Sequence, residues 1–203
     1  MSHIYNSVTL YTNIPLGVRF MNRTNGKIAE KSKEEMGKAL LKCLNLYDFG
    51  EITVTQIAQE AKLSRRTFYR LFSSKEELLV FLFESWFQEF FLQVKERDIH
   101  HYWDVVKCYF EFCEERKSLL FLLKQQNILN SFFDHMYQKS LQVMEYVHTK
   151  EKTQSMEKAV PYLLAYSVGG MFCMLIKWVD NDMDESSDKL IELLKRGYTS
   201  PRF

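Results

Sequence analysis

Chain-breaking residues are scarce in this sequence. Three prolines and seven glycines are spread over 203 residues, which argues for long helices over many turns. Cysteine is sparse and scattered: Cys43, Cys108, Cys113 and Cys173 show no zinc-like pair spacing. No secretory leader is recognised, and reduced thiols in a cytoplasm are expected. Excess charge of one sign is missing as well. At a net +1 the chain is no polycation, so any anion-binding role must be local. Long apolar runs are nearly absent, with one exception. The eighteen uncharged residues AVPYLLAYSVGGMFCMLI, 159–176, stand at the lower limit for a membrane span. They include a proline, two tyrosines, a serine and a Gly-Gly pair, and no basic loop follows. The reading is a buried or interfacial helix, with no membrane partner. What remains, 46 % hydrophobic and 26 % charged residues, is ordinary for a soluble globular chain of one or two domains.

Helical spacing begins near Ser32, where Met36, Ala39, Leu40, Cys43 and Tyr47 share one face. Before it, residues 1–31 form an extension ending in a polar arm with Arg23, Lys27 and Lys31. Met21 could equally be the native start, which leaves open whether residues 1–20 belong to the protein. The first helix is expected to stop at DFGE, where Gly50 suits a left-handed residue. Thr53 and Gln56 then form a capping box ahead of Val54, Ile57, Ala58 and Ala61. Ser64 is a natural N-cap for another short helix. Ser73 and Ser74, followed by Glu76 and Glu77, open a long helix reaching about Lys95. Capped helices with tight turns over residues 32–72 have the rhythm of a helix-turn-helix.

The segment LSRRTFYRLF separates into two faces. At about 100° per residue, Leu63, Thr67, Phe68 and Leu71 share one arc, while Arg65, Arg66, Tyr69 and Arg70 fill the other. From Lys62 to Lys75 there are five basic residues and no acidic one. A solvated surface usually mixes signs. This one fits the major groove of DNA, where arginine reaches guanine edges or phosphates.

ITVTQIAQEAKLSRRTFYRLFSSKEELL resembles the DNA-binding domain of the tetracycline-repressor (TetR) family of bacterial transcriptional regulators. The residues carrying the resemblance are Thr55, Ile57-Ala58, Ala61, Ser64, Thr67, Phe68-Tyr69, Phe72, and Lys75 with Glu76. It is specific from Lys33 to Phe83. Positions 62 and 66, often glycine in the family, are lysine and arginine here. The resemblance implies a dimeric repressor, less often an activator, on double-stranded operator DNA. It implies phosphate contacts for Thr53, Thr55 and Lys75, and a sugar-phosphate contact for Tyr69. Arg65, Arg66, Thr67 and Arg70 are the residues for base edges. For Thr53, pure capping is the competing role.

Further on, helices are expected on both sides of Arg116 to Ser118, over NSFFDHMYQKSLQVMEYVHTK, from Ala159 to Val179, and around Ser187 to Lys195. The last two resemble, less specifically, the paired helices of the family's dimer interface. Gly169, Gly170, Met174, Trp178, Leu190 and Leu194 would then face a second copy, with a plain intramolecular core as the alternative. Phe110, Phe121, Phe133, Met136 and Met171 would be core or, by the same resemblance, the wall of an apolar effector cavity. His100, His101 and Cys108 lack a third ligand at usable spacing, so no metal is expected. Cys108 and Cys113 are poorly placed for a disulfide within one helix, and a thiol sensor is a minor alternative. No phosphate-binding loop, nucleophile elbow or paired-acid motif is present, so neither enzymatic activity nor a cofactor is expected.

The expected architecture is all-α: an extension (1–31), a helix-turn-helix head (32–78) and a helical ligand-binding and dimerisation domain (79–203). The expected function is a cytoplasmic, sequence-specific DNA-binding regulator, released or modulated by a small apolar effector. The alternative is a co-regulator acting through protein–protein contact without operator binding.

Overall fold

A computed structural model describes residues 24–147 and 154–199, and among these nine α-helices follow one another with no strand. They are α1 (Thr24–Leu44), α2 (Val54–Glu60), α3 (Arg65–Leu71), α4 (Lys75–Glu96), α5 (Tyr102–Glu114), α6 (Lys117–Gln125), α7 (Leu129–Val147), α8 (Gln154–Asp180) and α9 (Ser187–Thr199). The all-α expectation holds. Whether the native chain starts at Met1 or Met21 falls outside the described residues, as does Arg23.

α1 begins eight residues ahead of Ser32, inside what the sequence suggested was an arm. The period of buried residues could not reveal this, because the added turns bury little: Ile28 is 74 % exposed. Lysine, alanine and glutamate favour the helix without an apolar stripe. The far end corrects a second expectation. α1 stops at Leu44, well before Gly50, and no described glycine has a positive φ. Its last carbonyls are met by other donors: Asn45 Nδ2 donates to Leu41 O at 2.8 Å and Tyr47 N to Cys43 O at 2.9 Å.

Four other helices end in a left-handed residue that is not glycine: Lys62 after α2, Asp98 after α4, Asn127 after α6 and Asp182 after α8. Each closes the same double bond pattern. After α2, Leu63 N donates to Ala58 O at 2.9 Å and Lys62 N to Gln59 O at 3.0 Å. α4 starts on serines, as expected. Ser74 Oγ accepts from Glu77 N at 3.2 Å, while the Glu77 carboxylate accepts from Ser73 N and Oγ, both at 2.6 Å. These bonds hold the Glu77 carboxyl below the usual carboxylate range.

The chain forms two compact units: residues up to 89 with 122–129, and residues 90–121 with 130 onward. It passes between them inside α4, inside α6 and at the start of α7, so each described crossing is helical. The first unit packs Met36, Leu40 and Leu44 of α1, Ile57 and Ala58 of α2, Phe68 and Phe72, and Leu78, Leu82, Phe83 and Trp86 of α4, all buried. α1 and α4 lie close enough that a Cβ on Gly37 would stand 2.8 Å from Leu82 Cδ2.

The second unit buries Val106, Cys108, Phe110, Phe112 and Cys113 of α5 with Leu175, Trp178 and Val179 of α8 and Ile191 of α9. α9 is tied to α5 through its first residue. Buried Ser187 donates to Glu114 from its Oγ at 2.6 Å and from its N at 3.2 Å, and Lys107 pairs with Asp188 at 2.9 Å. Trp178 belongs to this core. It is 3 % exposed, its Nε1 donates to Glu185 O at 2.9 Å, and Phe110 meets it edge-on. Of the two places expected for it, interface or core, this is the core one. All four cysteines are free. Burial pushes the Cys108 thiol up to about 11 and the Cys113 thiol up to about 12.

Lys158–Asp180, within α8, is the one described stretch long and apolar enough to cross a membrane by length and composition, and only 11 % of its apolar window is buried. The helix is therefore mostly uncovered by the described residues. Tyr162 is 79 % exposed and Tyr166 65 %.

Candidate nucleic-acid interface

α2 and α3 stand at the surface of the first unit, each opened by a side-chain cap. Thr53 Oγ1 accepts from Gln56 N at 3.3 Å and donates to Gln56 Oε1 at 2.7 Å, and Thr53 N donates to the same oxygen at 2.8 Å. This is the complete capping box read from the sequence. It uses the hydroxyl proton, so capping accounts for Thr53. Thr55, one residue into α2, is exposed. Ser64 caps α3 by accepting from Thr67 N at 3.0 Å, and its Oγ lies 2.9 Å from Thr67 Oγ1.

The two faces of α3 appear where the wheel put them. Phe68 is wholly buried, and Leu63, Thr67 and Leu71 are half-buried. Arg65, Arg66 and Arg70 are exposed, and Tyr69, packed edge-on against Phe68, keeps 53 % of its surface in solvent. None of these three arginines forms an ion pair or side-chain hydrogen bond among the described residues. The nearest preceding acid, Glu60, is held by Lys42 at 2.9 Å. Exposed Lys62 adds a further cation at the turn between the helices.

Lys75 departs from its expected role. Its ammonium donates to the carbonyls of Phe49, Gly50 and Ile52 at 2.5, 2.9 and 2.8 Å, with the Phe49 ring centroid 4.9 Å away. An ammonium has three donors, and here all three are engaged. No N–H is left for a phosphate, so Lys75 fastens the loop into α2.

One residue with nothing in the sequence to single it out completes the loop. Gln126, the residue after α6, donates from Nε2 to Leu44 O at 2.7 Å and to Tyr47 O at 3.2 Å, and its Oε1 accepts from Phe49 N at 2.8 Å. The only trace in the sequence is a polar QQN run closing a helix.

The remaining candidates belong to the second unit. Gly169 is half-buried and Gly170 exposed, and a Cβ on either would meet nothing within 4 Å among the described residues. Met174, Leu190 and Leu194 are half-buried. Of the suggested effector residues, Phe110 and Met136 are buried, while Phe121, Phe133 and Met171 are half-buried. Phe133 stacks on Phe172 with centroids 4.0 Å apart.

Such a surface can bind a polyanion. Its arginines can form forked hydrogen bonds to guanine edges or phosphates, and Tyr69 can pack on the sugar-phosphate backbone. Comparison with known proteins agrees. Residues 38–80 match the model described as bacterial regulatory proteins, tetR family, and residues 101–198 match a transcriptional regulator C-terminal region. Over 70 residues the chain is 36 % identical to the HTH-type dhaKLM operon transcriptional activator DhaS of Lactococcus lactis subsp. lactis (strain IL1403). That match covers 34 % of this chain and 36 % of the relative, so the chain spans about a third of the length of the curated relative it matches.

Lys62 holds a left-handed φ of 55° that a side chain disfavours. Lys62→Gly is expected to raise stability by about 0.5–1 kcal/mol, the relief of strain outweighing the looser unfolded chain. It is also expected to weaken retention on duplex DNA. A lower melting temperature for the variant would show that the turn is unstrained.

Proposed function

The chain belongs to the tetR family of bacterial regulatory proteins, and from that membership we propose a cytoplasmic, sequence-specific DNA-binding regulator. It acts as a homodimer and represses transcription until a small, mostly apolar effector binds. The observation that carries this reading is the set Arg65, Arg66 and Arg70, exposed on one arc of α3 without an ion pair among the described residues. Like charges gathered without counter-charge repel one another, and a phosphate backbone relieves that repulsion. Tyr69 supports the same contact from within the arc, with Thr67 on the other arc of α3 and Thr55 on α2 assigned to its margins.

The dimer follows from the reading geometry and from α8. One seven-residue helix buries too little for specificity, so two must read half-sites about 34–36 Å apart about a two-fold axis. Tyr162, Tyr166, Gly170, Cys173 and Lys177 are exposed at helical spacing along α8. This stripe mixes apolar surface with hydroxyls and an ammonium, which suits a second copy better than lipid. Gly169 and Gly170 would allow the close approach, with Met174, Leu190 and Leu194 beside them.

The effector reading rests on the aromatic and sulfur-bearing side chains of the second unit, of which Phe121, Phe133 and Met171 are not fully enclosed. A ligand held there changes DNA binding only if it prefers one arrangement of the dimer over another. DhaS is named as an activator. A match over a third of each chain does not transfer that sign, and repression is the reading offered for this protein.

Three outcomes test these points. Arg65→Ala, Arg66→Ala and Arg70→Ala are each expected to cost about 1–3 kcal/mol at an operator selected from the host genome and to relax its base preference. Equal losses on operator and random duplex would remove the base-reading role. Failure of the wild-type protein to be retained on any duplex at low salt would favour a co-regulator that works through protein contact.

Gly170→Leu is expected to sediment as a folded monomer, because the added side chain enters space that is open in its own chain. A wild-type dimer from this variant would move the interface elsewhere.

A small molecule that raises the melting temperature is expected to change operator affinity by about 5–150-fold, with operator DNA changing its affinity by the same factor. Tight ligands that leave operator affinity untouched would reduce the aromatic set to packing. A reporter behind the operator gives the sign of regulation in the same experiment.

A further inference from the structure

The loop 45–52 joins α1 to the helix-turn-helix, and apolar burial holds little of it. Leu46 is 64 % exposed and Tyr47 44 %, and Ile52 is its one buried residue. Side-chain hydrogen bonds hold it instead, from two places far away in sequence. Lys75, 23 to 26 residues on, takes the carbonyls of Phe49, Gly50 and Ile52. Gln126, 77 to 82 residues on, takes the carbonyls of Leu44 and Tyr47 and the N–H of Phe49. The Phe49 backbone is therefore gripped at both polar groups, its N–H by Gln126 and its carbonyl by Lys75.

The two clamps differ in kind. Lys75 belongs to α4, which continues directly from the helix-turn-helix. Gln126 is delivered by α6, a helix that starts in the second unit and ends in the first. Its backbone is fixed by the left-handed Asn127 and by the bond from Ile128 N to Leu123 O at 2.9 Å. The side chain places one acceptor and two donors on three backbone groups of a single loop. Of these, Leu44 O is an orphan carbonyl at the end of α1, which would otherwise be left to water.

We propose that Gln126 is a positioning residue for DNA binding, resting on the reading of α3 given above. By fixing the loop it fixes α2 and α3, as a pair, on α1. Without it the loop keeps Lys75, buried Ile52 and its own backbone turns but loses its bonds from Gln126, and it has to be ordered further when DNA binds, which weakens the complex. Gln126 itself carries no charge and removes no phosphate contact when it is lost. Its effect on affinity therefore comes without a change in salt dependence, unlike the loss of an arginine or lysine at the interface.

The test uses the full chain with Gln126→Met, which keeps length and apolar bulk but loses the bonds, and Gln126→Glu, which keeps an acceptor for Phe49 N–H. Amide hydrogen exchange is followed across residues 44–52. Affinity for a genome-selected operator duplex is measured over a salt series, well below the melting temperature, so that loss of folded protein does not contribute. Gln126→Met is expected to exchange faster at Phe49 and to bind the operator about 5–30-fold more weakly, the value of one to two hydrogen bonds. Its salt slope is expected to match wild type, and Gln126→Glu is expected to fall between the two. Should Gln126→Met fail to fold, Gln126→Leu, equally uncharged and equally unable to form the bonds, carries the same comparison. Faster exchange with unchanged affinity, a reduced salt slope, or unchanged exchange would each overturn the proposal. A wild-type protein that binds no duplex would overturn the DNA-binding reading and this proposal with it, a result recognisable without any variant.

Discussion

A lysine ammonium has three N–H bonds and nothing else to offer, and in this protein the three bonds of Lys75 all go to one loop. Much of the head depends on that arrangement. Lys75 is the first residue of α4, and the carbonyls it holds lie just ahead of the capping threonine of α2, so the entry and the exit of the helix-turn-helix are drawn together by a single charged group. The carbonyl dipoles that surround it would repel one another without a cation between them. Half-buried, with the Phe49 ring beside it, the ammonium is partly shielded from water, which strengthens its attraction to them. A residue that resemblance marks for the ligand is thus occupied with the frame, whereas Arg65, Arg66 and Arg70 form no ion pair or side-chain hydrogen bond among the described residues.

The features legible in the sequence are those whose causes are local. A threonine and a glutamine three residues apart close a box with no help from the rest of the fold, and Thr53 and Gln56 do so. Ser64 caps α3 for the same reason. The division of α3 into a buried and a charged arc needs only the helical repeat, and Phe68 and the three arginines obey it. The break at Arg116 between α5 and α6 likewise follows from where apolar spacing stops and restarts.

What could not be read depends on partners distant in the chain, or on conformations that the residue type argues against. Nothing in the vicinity of Gln126 indicates that its amide answers a loop some eighty residues earlier. Trp178 has the character of an anchor, but its burial against Phe110 and its bond to Glu185 follow from how α5, α8 and the turn into α9 come together. Gly50 was the obvious left-handed residue after α1. The four helix ends that do use that conformation place Lys62, Asp98, Asn127 and Asp182 there, so a search for glycine misses every one. The scarcity of glycine and the abundance of strained side chains at helix ends are two aspects of one choice. At Lys62 the choice adds a cation beside the exposed arginines of α3.

The head is not one continuous length of sequence. Residues 122–129 belong to its compact unit, and the family match to the head, residues 38–80, does not include them. Heads therefore cannot be traded freely between relatives by a single recombination event. A crossover anywhere between α4 and α6 would join one protein's α1–α2 loop to another protein's residue at position 126, and the incoming loop would meet whichever side chain its new host supplies. Compatible exchange requires either two crossovers or a partner that already carries a glutamine in the same place. On this account the α1–α2 loop and the helix that supplies position 126 would be inherited together, as a linked pair, more often than the modular appearance of the helix-turn-helix suggests.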